Sequence, residues 1–395
     1  MMTNEQKYLL SLIRKSMGKQ QNNPQTGSEA LDTGLVADMI RKNGILMTVF
    51  PVIMEQSGQS ENTEKIYSIL LQNFISTSKR VHSLASEGET VLKVLGDSGF
   101  DCIGLKGWYL RKLYPDVSMR QVTDLDILVR PYDFRRIRKI MEQTGFACGV
   151  ESNWKHDDFT KGTVLVEMHK RLSDESGSVS EWERRMWDRA VPSGGHEYYM
   201  SPEDFYIFHL IHMHTHFQYG CMGLNRLIDT WLLQNRPMNE DYLSQELENI
   251  GLGTFRQRME KLSCVVMGEE EPDDDCRILL DFAFRYGTFG SGATYKAGRI
   301  VSREKGNGLF RGKLRSLISA VFLPLNRMKA QYPVLVKWPI LLPFYWVKRI
   351  AHYCIHDNLR KRAKMLDYSS VSEKDCDEMR RFLDSGDPEF LGRRS

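Results

Sequence analysis

The chain has 395 residues, of which 41% are hydrophobic and 27% are charged, and its formal net charge is +3 at pH 7. These proportions are those of ordinary globular proteins, so they exclude a chain that is disordered or fibrous as a whole. The length exceeds that of one small domain and predicts two or three domains with a sizeable core.

The first hundred residues have the apolar spacing of helices. Residues 1–16, 29–57 and 62–87 each predict helical segments, and a polar loop at 19–27 follows the first of them. The N-terminus lacks the continuous apolar stretch of a signal peptide. The seven cysteines are scattered and never spaced as CxxC, which argues against a disulfide framework and against a structural zinc site. We therefore expect an N-terminal helical region over 1–95 in a cytoplasmic protein.

Strands and helices alternate in the next part of the sequence. Short apolar or alternating runs predict the strands, and helical spacing predicts the helices between them. Pro131 is expected to open a helix at its first turn, and Gly145 to end it. The predicted elements are a strand at 102–105, a helix at 108–114, a strand at 124–129, a helix at 132–143, an extended segment at 154–160 and a strand at 163–169. Residues 101–172 are thus expected to form an α+β unit with three or four strands.

The helical pattern then returns. Residues 201–204 form a helix start with a capping serine, a proline and two acids, and a second helix covers 223–234. The glycine-rich stretch 286–310 predicts a long loop, and 311–364 is again helical. The tail at 367–395 is polar and is expected to fray.

The most apolar stretch, 332–350, lies within a basic part of the chain. Lysines and prolines interrupt it, and its apolar run is far shorter than the roughly 20 residues that cross a bilayer, so we expect a buried helix pair and no transmembrane segment. Residues 296–364 hold 16 lysine and arginine residues against two acids. Such a segment either contacts an anionic partner, which includes a nucleotide, a nucleic acid or a membrane surface, or is a solvated helix face.

Acidic side chains on two predicted strands form the candidate reactive group. Side chains alternate along a strand, so the apolar residues of DLDILV share one face while Asp124 and Asp126 share the other. The same count on the last predicted strand places Glu167 and His169 on one face. If the two strands are neighbours, three carboxylates converge, and Mg²⁺ is the cation that such oxygens favour. An Asp-x-Asp pair also occurs on plain solvent-facing strands, so the pattern alone leaves both interpretations open.

A lysine and a glycine precede the aspartates at the end of a predicted strand. Gly107 allows a phosphate to approach the backbone, and the start of the following helix favours an anion. Lys106 and Arg120 add positive charge that would bind a triphosphate. The other interpretation is a strand-end lysine in solvent and a surface arginine. His169 either contacts phosphate, or orients Glu167, or is a hydrogen-bonded strand histidine.

A family resemblance is carried by the run LKGWYLRKLYPDVSMRQVTDLDILVRPYDFRRIRKIMEQTGF and by VEMHKRL. These segments closely resemble a bacterial family of uncharacterised nucleotidyltransferases, which is similar to the DNA polymerase β-type superfamily. The resemblance implies an α+β fold with a small mixed β-sheet core and helices at 96–198. The N-terminal helices would precede this core in the chain. A C-terminal all-helical domain at 199–365 and a polar tail at 366–395 would follow it.

The resemblance also implies a chemistry. Asp124 and Asp126 would bind metal, and Glu167 would take the place of the third acid, which binds metal and can deprotonate the acceptor. Two Mg²⁺ ions would act on a nucleoside triphosphate such as ATP, and a nucleoside monophosphate would pass to a hydroxyl of a small molecule, sugar or protein.

The chain departs from the superfamily pattern at one point. The wider superfamily usually has Gly-Ser before the aspartates, where this chain has Lys106-Gly107. A catalytically inactive nucleotide-binding or adaptor protein with the same fold is therefore an alternative. Nucleic-acid end modification is a third, supported only by the basic stretch.

Three histidines recur on one face of the helix that follows the α+β unit. His209, His212 and His216 fall at i, i+3 and i+7, a spacing that allows a metal ion. No HExxH motif or nearby acid completes a zinc site, so the alternatives are contacts that line the cleft and ordinary core or interface positions. Asp229 lies among apolar residues of the next helix. If it faces inward and lines the cleft it needs a partner such as Arg226 or a histidine, and otherwise it points to solvent.

Overall fold

The computed structural model describes residues 2–19, 31–149, 155–173, 177–304, 309–325, 328–329, 332, 334–356 and 367–389. Within these residues the chain has the expected α+β architecture, with 17 helices and one mixed sheet of seven strands. The described residues group into two compact units. The first holds the residues up to 288 except 215–221, and the second holds 215–221 and the residues from 289 onward. The four regions expected from the sequence stay a prediction.

Four helices form the N-terminal part of the first unit. They are α1 (Asn4–Ser16), α2 (Thr33–Lys42), α3 (Leu46–Gln56) and α4 (Glu61–Asp97). A capping box fixes the start of α1, because the Thr3 hydroxyl accepts from the Gln6 amide and the Gln6 side chain accepts from the Thr3 amide. Helix α4 extends well past its predicted end, and its last turns carry Val91 and Leu95 into the core of the sheet.

The sheet combines strands from two parts of the chain. The strands are β1 (Asp101–Gly104), β2 (Leu125–Arg130), β3 (Ala147–Cys148), β4 (His156–Lys161), β5 (Val164–His169), β6 (Val191–Gly194) and β7 (Glu197–Tyr199). Their order is β3-β4-β5-β2-β1-β7-β6, and β2 is antiparallel to β1 and parallel to β5. Five strands lie between residues 101 and 172 rather than three or four, and the sequence did not predict the β6–β7 hairpin.

The alternation expected for the two central strands is confirmed. The apolar side chains of β2 and β5 belong to one buried cluster with residues of α4 and of the helix after β2. Its strand members are Leu125, Ile127, Val129, Val164, Val166 and Met168. Because successive side chains point to opposite faces, this packing leaves Asp126 and Glu167 on the other face of the sheet.

The helix after β2 begins later than predicted. Helix α6 spans Phe134–Gln143, and Asp133 caps it by accepting from the Arg136 amide. Pro131 lies before the helix and follows Arg130 through a cis peptide bond. The prediction that Pro131 opens this helix is therefore wrong, because the Asp133 side chain supplies the acceptor that the first turn needs.

Seven more helices begin in the first unit. They are α5 (Lys106–Leu110), α7 (Ser178–Met186), α8 (Pro202–Phe217), α9 (Leu224–Gln234), α10 (Glu240–Ile250), α11 (Gly253–Met267) and α12 (Asp274–Tyr286), of which α8 ends among the residues of the second unit. The predicted start of α8 at Pro202 is confirmed. Arg14 of α1 donates to the carbonyl groups of Val265 and Val266 at 3.0 and 2.8 Å. Such contacts join the N-terminal helices to those that follow the sheet.

The second unit contains two helices where the sequence predicted irregular chain. Its helices are α13 (Gly292–Glu304), α14 (Leu309–Val321), α15 (Val334–Lys337), α16 (Leu342–His356) and α17 (Glu373–Gly386). Helix α13 lies within the predicted loop at 286–310. A Cβ atom on Gly298 would lie 2.4 Å from the Gln218 carbonyl oxygen, so this glycine permits close packing of a helix rather than a loop.

Helix α17 corrects the expectation that the tail is frayed. Ser372 and Asp375 form a capping box at its start. The centroid of the Phe382 ring lies 4.3 Å from that of Phe217, and a Cβ atom on Gly386 would lie 2.3 Å from the Phe217 ring. The polar residues occupy the solvent side, while an apolar side docks on the unit.

The stretch 332–350 is not a buried helix pair. Most of its described apolar side chains are exposed, including Trp338, Ile340 and Phe344. In the part of the chain that the structure describes, every helix falls short of the length or the apolarity needed to cross a membrane.

Docking of α17 can be tested by Phe382→Ala. We expect this change to lower the free energy of unfolding of the second unit by about 3–5 kcal/mol, because it removes a fully buried aromatic ring. The control is Asp384→Ala at an exposed position of the same helix, with an expected effect within about 0.5 kcal/mol. Urea denaturation followed by circular dichroism measures both. Equally small effects would contradict the docked tail.

Candidate active site

The register of β2 and β5 places two carboxylates side by side. Asp126 is the direct partner of Glu167 in this parallel pair, so the expectation that the two strands are neighbours is confirmed. Asp124 lies just before β2. One ligand oxygen from each of the three acids lies within 4.8 Å of the others, as a shared cation would require. Asp126 is almost completely buried, whereas Asp124 and Glu167 are half-buried.

Lys106 brings a positive charge to these acids. Its Nζ donates to Asp126 Oδ1 at 2.5 Å and lies 3.9 Å from Glu167 Oε2. Burial would lower the pKa of Lys106, but the carboxylates of Asp126 and Glu167 outweigh burial and raise it. The backbone of Lys106 has φ +44°, a left-handed conformation that is strained for a residue with a side chain and that concentrates at functional sites.

Gly107 has a packing role in the structure. It is buried in α5, and a Cβ atom on it would lie 3.2 Å from Val122 Cγ1. Helix α5 has only five residues, so the anion-binding helix start expected from the sequence is a single turn. Phosphate contact by Lys106 and Gly107 therefore stays a prediction.

Two histidines complete the charged cluster, and the sequence pointed to only one of them. His169 Nε2 lies 2.8 Å from Asp126 Oδ1 and 3.4 Å from Glu167 Oε2, and His169 is almost completely buried. His156 of β4 places its Nδ1 2.9 Å from Glu167 Oε2. Ligand atoms of His156, Glu167 and His169 also lie within 4.8 Å of one another, so Glu167 belongs to two candidate metal-binding groups. His169 thus lies where it can orient both acids.

The surroundings separate the acids by their pKa values. Burial would raise the pKa of Asp126, but Lys106 and the hydrogen bond from His169 lower it. Burial likewise acts against ionisation of Glu167, and its hydrogen bonds with His156 and His169 outweigh burial and lower its pKa strongly. Burial and the negative charge of Asp126 raise the pKa of Asp124. The cluster therefore holds two firmly ionised carboxylates and one that gains most from an added cation.

Arg120 forms a buried ion pair with Asp229. Its Nε and Nη2 donate to the two carboxylate oxygens of Asp229 at 2.8 and 2.7 Å, and Nη1 donates to the Gln121 carbonyl at 2.6 Å. The Tyr114 hydroxyl also donates to Asp229 at 2.8 Å. Burial would lower the pKa of Arg120, but the Asp229 carboxylate outweighs it and raises the pKa. Asp229 thus has Arg120 as its inward partner rather than Arg226 or a histidine, and the expected phosphate contact of Arg120 gains no support.

The histidines of α8 lie outside the carboxylate cluster. Among the described residues, neither His212 nor His216 belongs to a group of side chains that could share a metal ion with the acids. His212 belongs to the first unit and His216 to the second. His209 is buried, with its Nε2 2.9 Å from the Thr230 hydroxyl, and burial lowers its pKa to about 4. The cleft-lining role of His212 and His216 stays a prediction.

The role of Arg120 in its buried ion pair with Asp229 can be tested by mutation. We expect Arg120→Ala to lower the free energy of unfolding by about 3–5 kcal/mol, because it leaves the Asp229 carboxylate buried and unpaired. The double change Arg120→Met with Asp229→Leu should restore much of this loss. Arg135→Ala, at an exposed position of α6, is the control, and thermal denaturation is the measurement. Unchanged stability combined with lost nucleotide affinity would instead assign Arg120 to phosphate.

Comparison with known proteins identifies the family. A comparison with curated proteins and one with solved structures each found no match. The model of one protein family, described as "Uncharacterised nucleotidyltransferase", matches residues 29–263, which is more than half of the chain and includes all of the clustered acids, Lys106 and both histidines of the cluster. The chain therefore belongs to this family of nucleotidyltransferases.

Proposed function

We propose that the protein is a magnesium-dependent enzyme that moves a nucleoside monophosphate from a nucleoside triphosphate to a hydroxyl group of an acceptor. The observation that carries the proposal is the pairing of Asp126 with Glu167 across β2 and β5, with Asp124 at the start of β2. Membership of the family supports nucleotidyl transfer in general.

The donor atoms fit magnesium. Asp124, Asp126 and Glu167 supply hard carboxylate oxygens, which are the protein ligands that Mg²⁺ prefers. Their mutual repulsion in a partly buried site would fall when a divalent ion binds. Two bound Mg²⁺ ions would neutralise charge on the triphosphate and on the attacking and leaving oxygens.

The residues of the cluster would have different roles in the proposed reaction. In the proposed reaction the acceptor oxygen bonds to the α-phosphorus while the bond from that phosphorus to the bridging oxygen breaks, and pyrophosphate leaves with the bridging oxygen. The hydroxyl proton passes to Glu167, which its contacts with His156 and His169 keep ionised. Because these contacts also make Glu167 a weak base, bound Mg²⁺ would have to acidify the hydroxyl group for this transfer. His169 also holds Asp126 in place. Rate acceleration then rests on positioning and on charge neutralisation.

Lys106 would change partners during this cycle. Its ammonium pairs with Asp126 Oδ1, so a metal ion held by the three acids would compete with Lys106 for the Asp126 carboxylate. We propose that Lys106 moves to a phosphate oxygen when nucleotide and metal bind. It would thereby supply the contact that the superfamily obtains from Gly-Ser.

The same ion pair supports one alternative. If Lys106 replaces the metal permanently, the protein is an inactive nucleotide-binding or adaptor protein with the same fold. The two functions differ in whether divalent ions reach Asp126, so metal binding separates them without knowledge of the acceptor.

The catalytic assignment can be tested by Asp126→Asn. We expect pyrophosphate release from a mixture of the four NTPs, with Mg²⁺ and a metabolite extract as the source of acceptors, to fall by about 10³-fold. Asp97→Asn, at the exposed end of α4, is the control and should retain full activity. Full activity of Asp126→Asn would contradict the proposal. NTP binding by the unchanged protein without pyrophosphate release would favour the inactive alternative.

Competition between lysine and metal can be tested by Lys106→Met. Without the ammonium the acids repel one another, so the variant should melt several degrees below the unchanged protein in EDTA. Mg²⁺ should then raise its melting temperature more than it raises that of the unchanged protein. Lys93→Met, at an exposed ion pair of α4, should behave like the unchanged protein. Equal responses to Mg²⁺ in all three proteins would contradict a metal site at these acids.

A further inference from the structure

Helix α14 has its apolar side in solvent. A surface helix normally buries such a stripe against its own protein. In α14, however, the buried residues are Gly312 and Ser316, and the Ser316 hydroxyl donates to the Arg299 carbonyl of α13 at 2.9 Å. The exposed apolar residues are Phe310, Leu314, Leu317 and Ile318, which recur at helical spacing along one side. Arg311 and Arg315 are exposed as well. The small and polar side of α14 therefore faces the unit, and its apolar side is uncovered.

The segment from α15 to α16 continues this surface. It is tied to the end of α14, because Arg349 Nη1 donates to the Val321 carbonyl at 2.9 Å and Trp346 Nε1 donates to the Leu323 carbonyl at 2.8 Å. Large apolar side chains nevertheless remain exposed along it, and Ile340 is 83% exposed. The others are Val334, Val336, Trp338, Leu341, Phe344, Val347 and Ile350. We call these residues and the exposed residues of α14 the apolar surface.

Basic residues are concentrated in the part of the sequence that contains the apolar surface. Residues 296–364 carry 16 lysine and arginine residues and two acids, a net charge of +14, whereas the rest of the chain carries 38 basic and 49 acidic residues, a net charge of −11. Lys337 is exposed between Val336 and Trp338, and Lys348 Nζ lies 5.5 Å from the centre of the Tyr345 ring. The segment of sequence that exposes these apolar side chains is thus also the segment in which the positive charge of the chain is concentrated.

We propose that the apolar surface binds the surface of an anionic lipid bilayer. Segments that lie in a membrane interface combine exposed leucine, phenylalanine and tryptophan with flanking lysine and arginine, as this one does. The 13 residues of α14 correspond to a length of about 20 Å, which suits a helix that lies in the interface rather than one that crosses it. Aliphatic side chains enter the acyl region, and the basic side chains contact the lipid phosphates.

The charge of the apolar surface favours a bilayer over the other candidate binding partners. In a symmetric dimer formed through this surface each patch would face its own copy, so two strongly basic regions would meet. Contact with another protein is less suited, because lysine is depleted in the centres of protein interfaces. A nucleic acid would match the charge, but single strands are bound by aromatic stacking, and most of the exposed side chains here are aliphatic. An anionic membrane matches both the charge and the aliphatic surface.

Vesicle flotation with the full-length protein tests the proposal. We expect the protein to float with vesicles of phosphatidylcholine containing 30% phosphatidylglycerol, and to float about tenfold less with phosphatidylcholine alone or in 0.5 M salt. The double change Trp338→Ala with Ile340→Ser should weaken binding on the order of tenfold. Its matched control is Phe289→Ser, which changes another highly exposed aromatic residue of the second unit outside the apolar surface.

A second pair of variants isolates the charge. Lys337→Glu should weaken binding to the anionic vesicles by about tenfold, and Lys7→Glu, an exposed position of α1, should not change it. All five positions are exposed, so melting temperatures should stay close to that of the unchanged protein. The proposal is overturned if the anionic vesicles do not bind. It is also overturned if Trp338→Ala with Ile340→Ser binds them as well as Phe289→Ser does, or if light scattering shows a dimer that this double change separates.

Discussion

The central constraint on the first unit is the repulsion among three carboxylates that the sheet forces together. Asp126 is buried and lies in register with Glu167, and Asp124 lies just before the same strand. Like charges at this distance cannot all ionise without compensation. In the described structure Lys106, His156 and His169 provide that compensation, and a divalent ion would provide more. The strained backbone at Lys106 is understandable in this setting, because the strain delivers an ammonium group to the point of highest negative charge.

Much of this cluster could be predicted because strand geometry follows a simple rule. Alternation along DLDILV and VLVEMH sets the faces of Asp124, Asp126 and Glu167, and the buried apolar partners confirm it. His156 could have been found in the same way. The short turn at Gly162 pairs Lys161 with Val164, and counting outward along this hairpin places His156 opposite His169. The signal was that the extended segment predicted at 154–160 can pair with the strand that carries Glu167, which brings His156 next to the acids.

The features that the sequence did not predict arise from interactions between residues far apart in sequence. Arg120 and Asp229 are separated by 109 positions, and nothing local distinguishes a buried clamp from a free phosphate ligand. The glycines of 286–310 predicted a loop, yet Gly298 is required where α13 packs closely on the backbone at Gln218. Helix α17 did carry local signals, because the capping box SEKD, from Ser372 to Asp375, precedes apolar residues at helical spacing. The many acids and arginines of α17 suggested a frayed tail, but these charged residues only occupy the solvent side of the helix.

The stretch 332–350 shows why hydropathy alone misplaced an element. An apolar run was expected to be buried because burial within the protein is the usual way to remove such side chains from water. The basic residues around it are the opposing signal, since lysines and arginines this dense repel one another and resist burial in a core. The apolar side chains and the basic residues are both accommodated if the stretch is covered by a lipid bilayer, which is apolar inside and anionic at its surface. Our proposals for the two units then follow one principle. The clustered acids of the first unit bind a cation, and the basic and apolar surface of the second unit binds an anionic membrane.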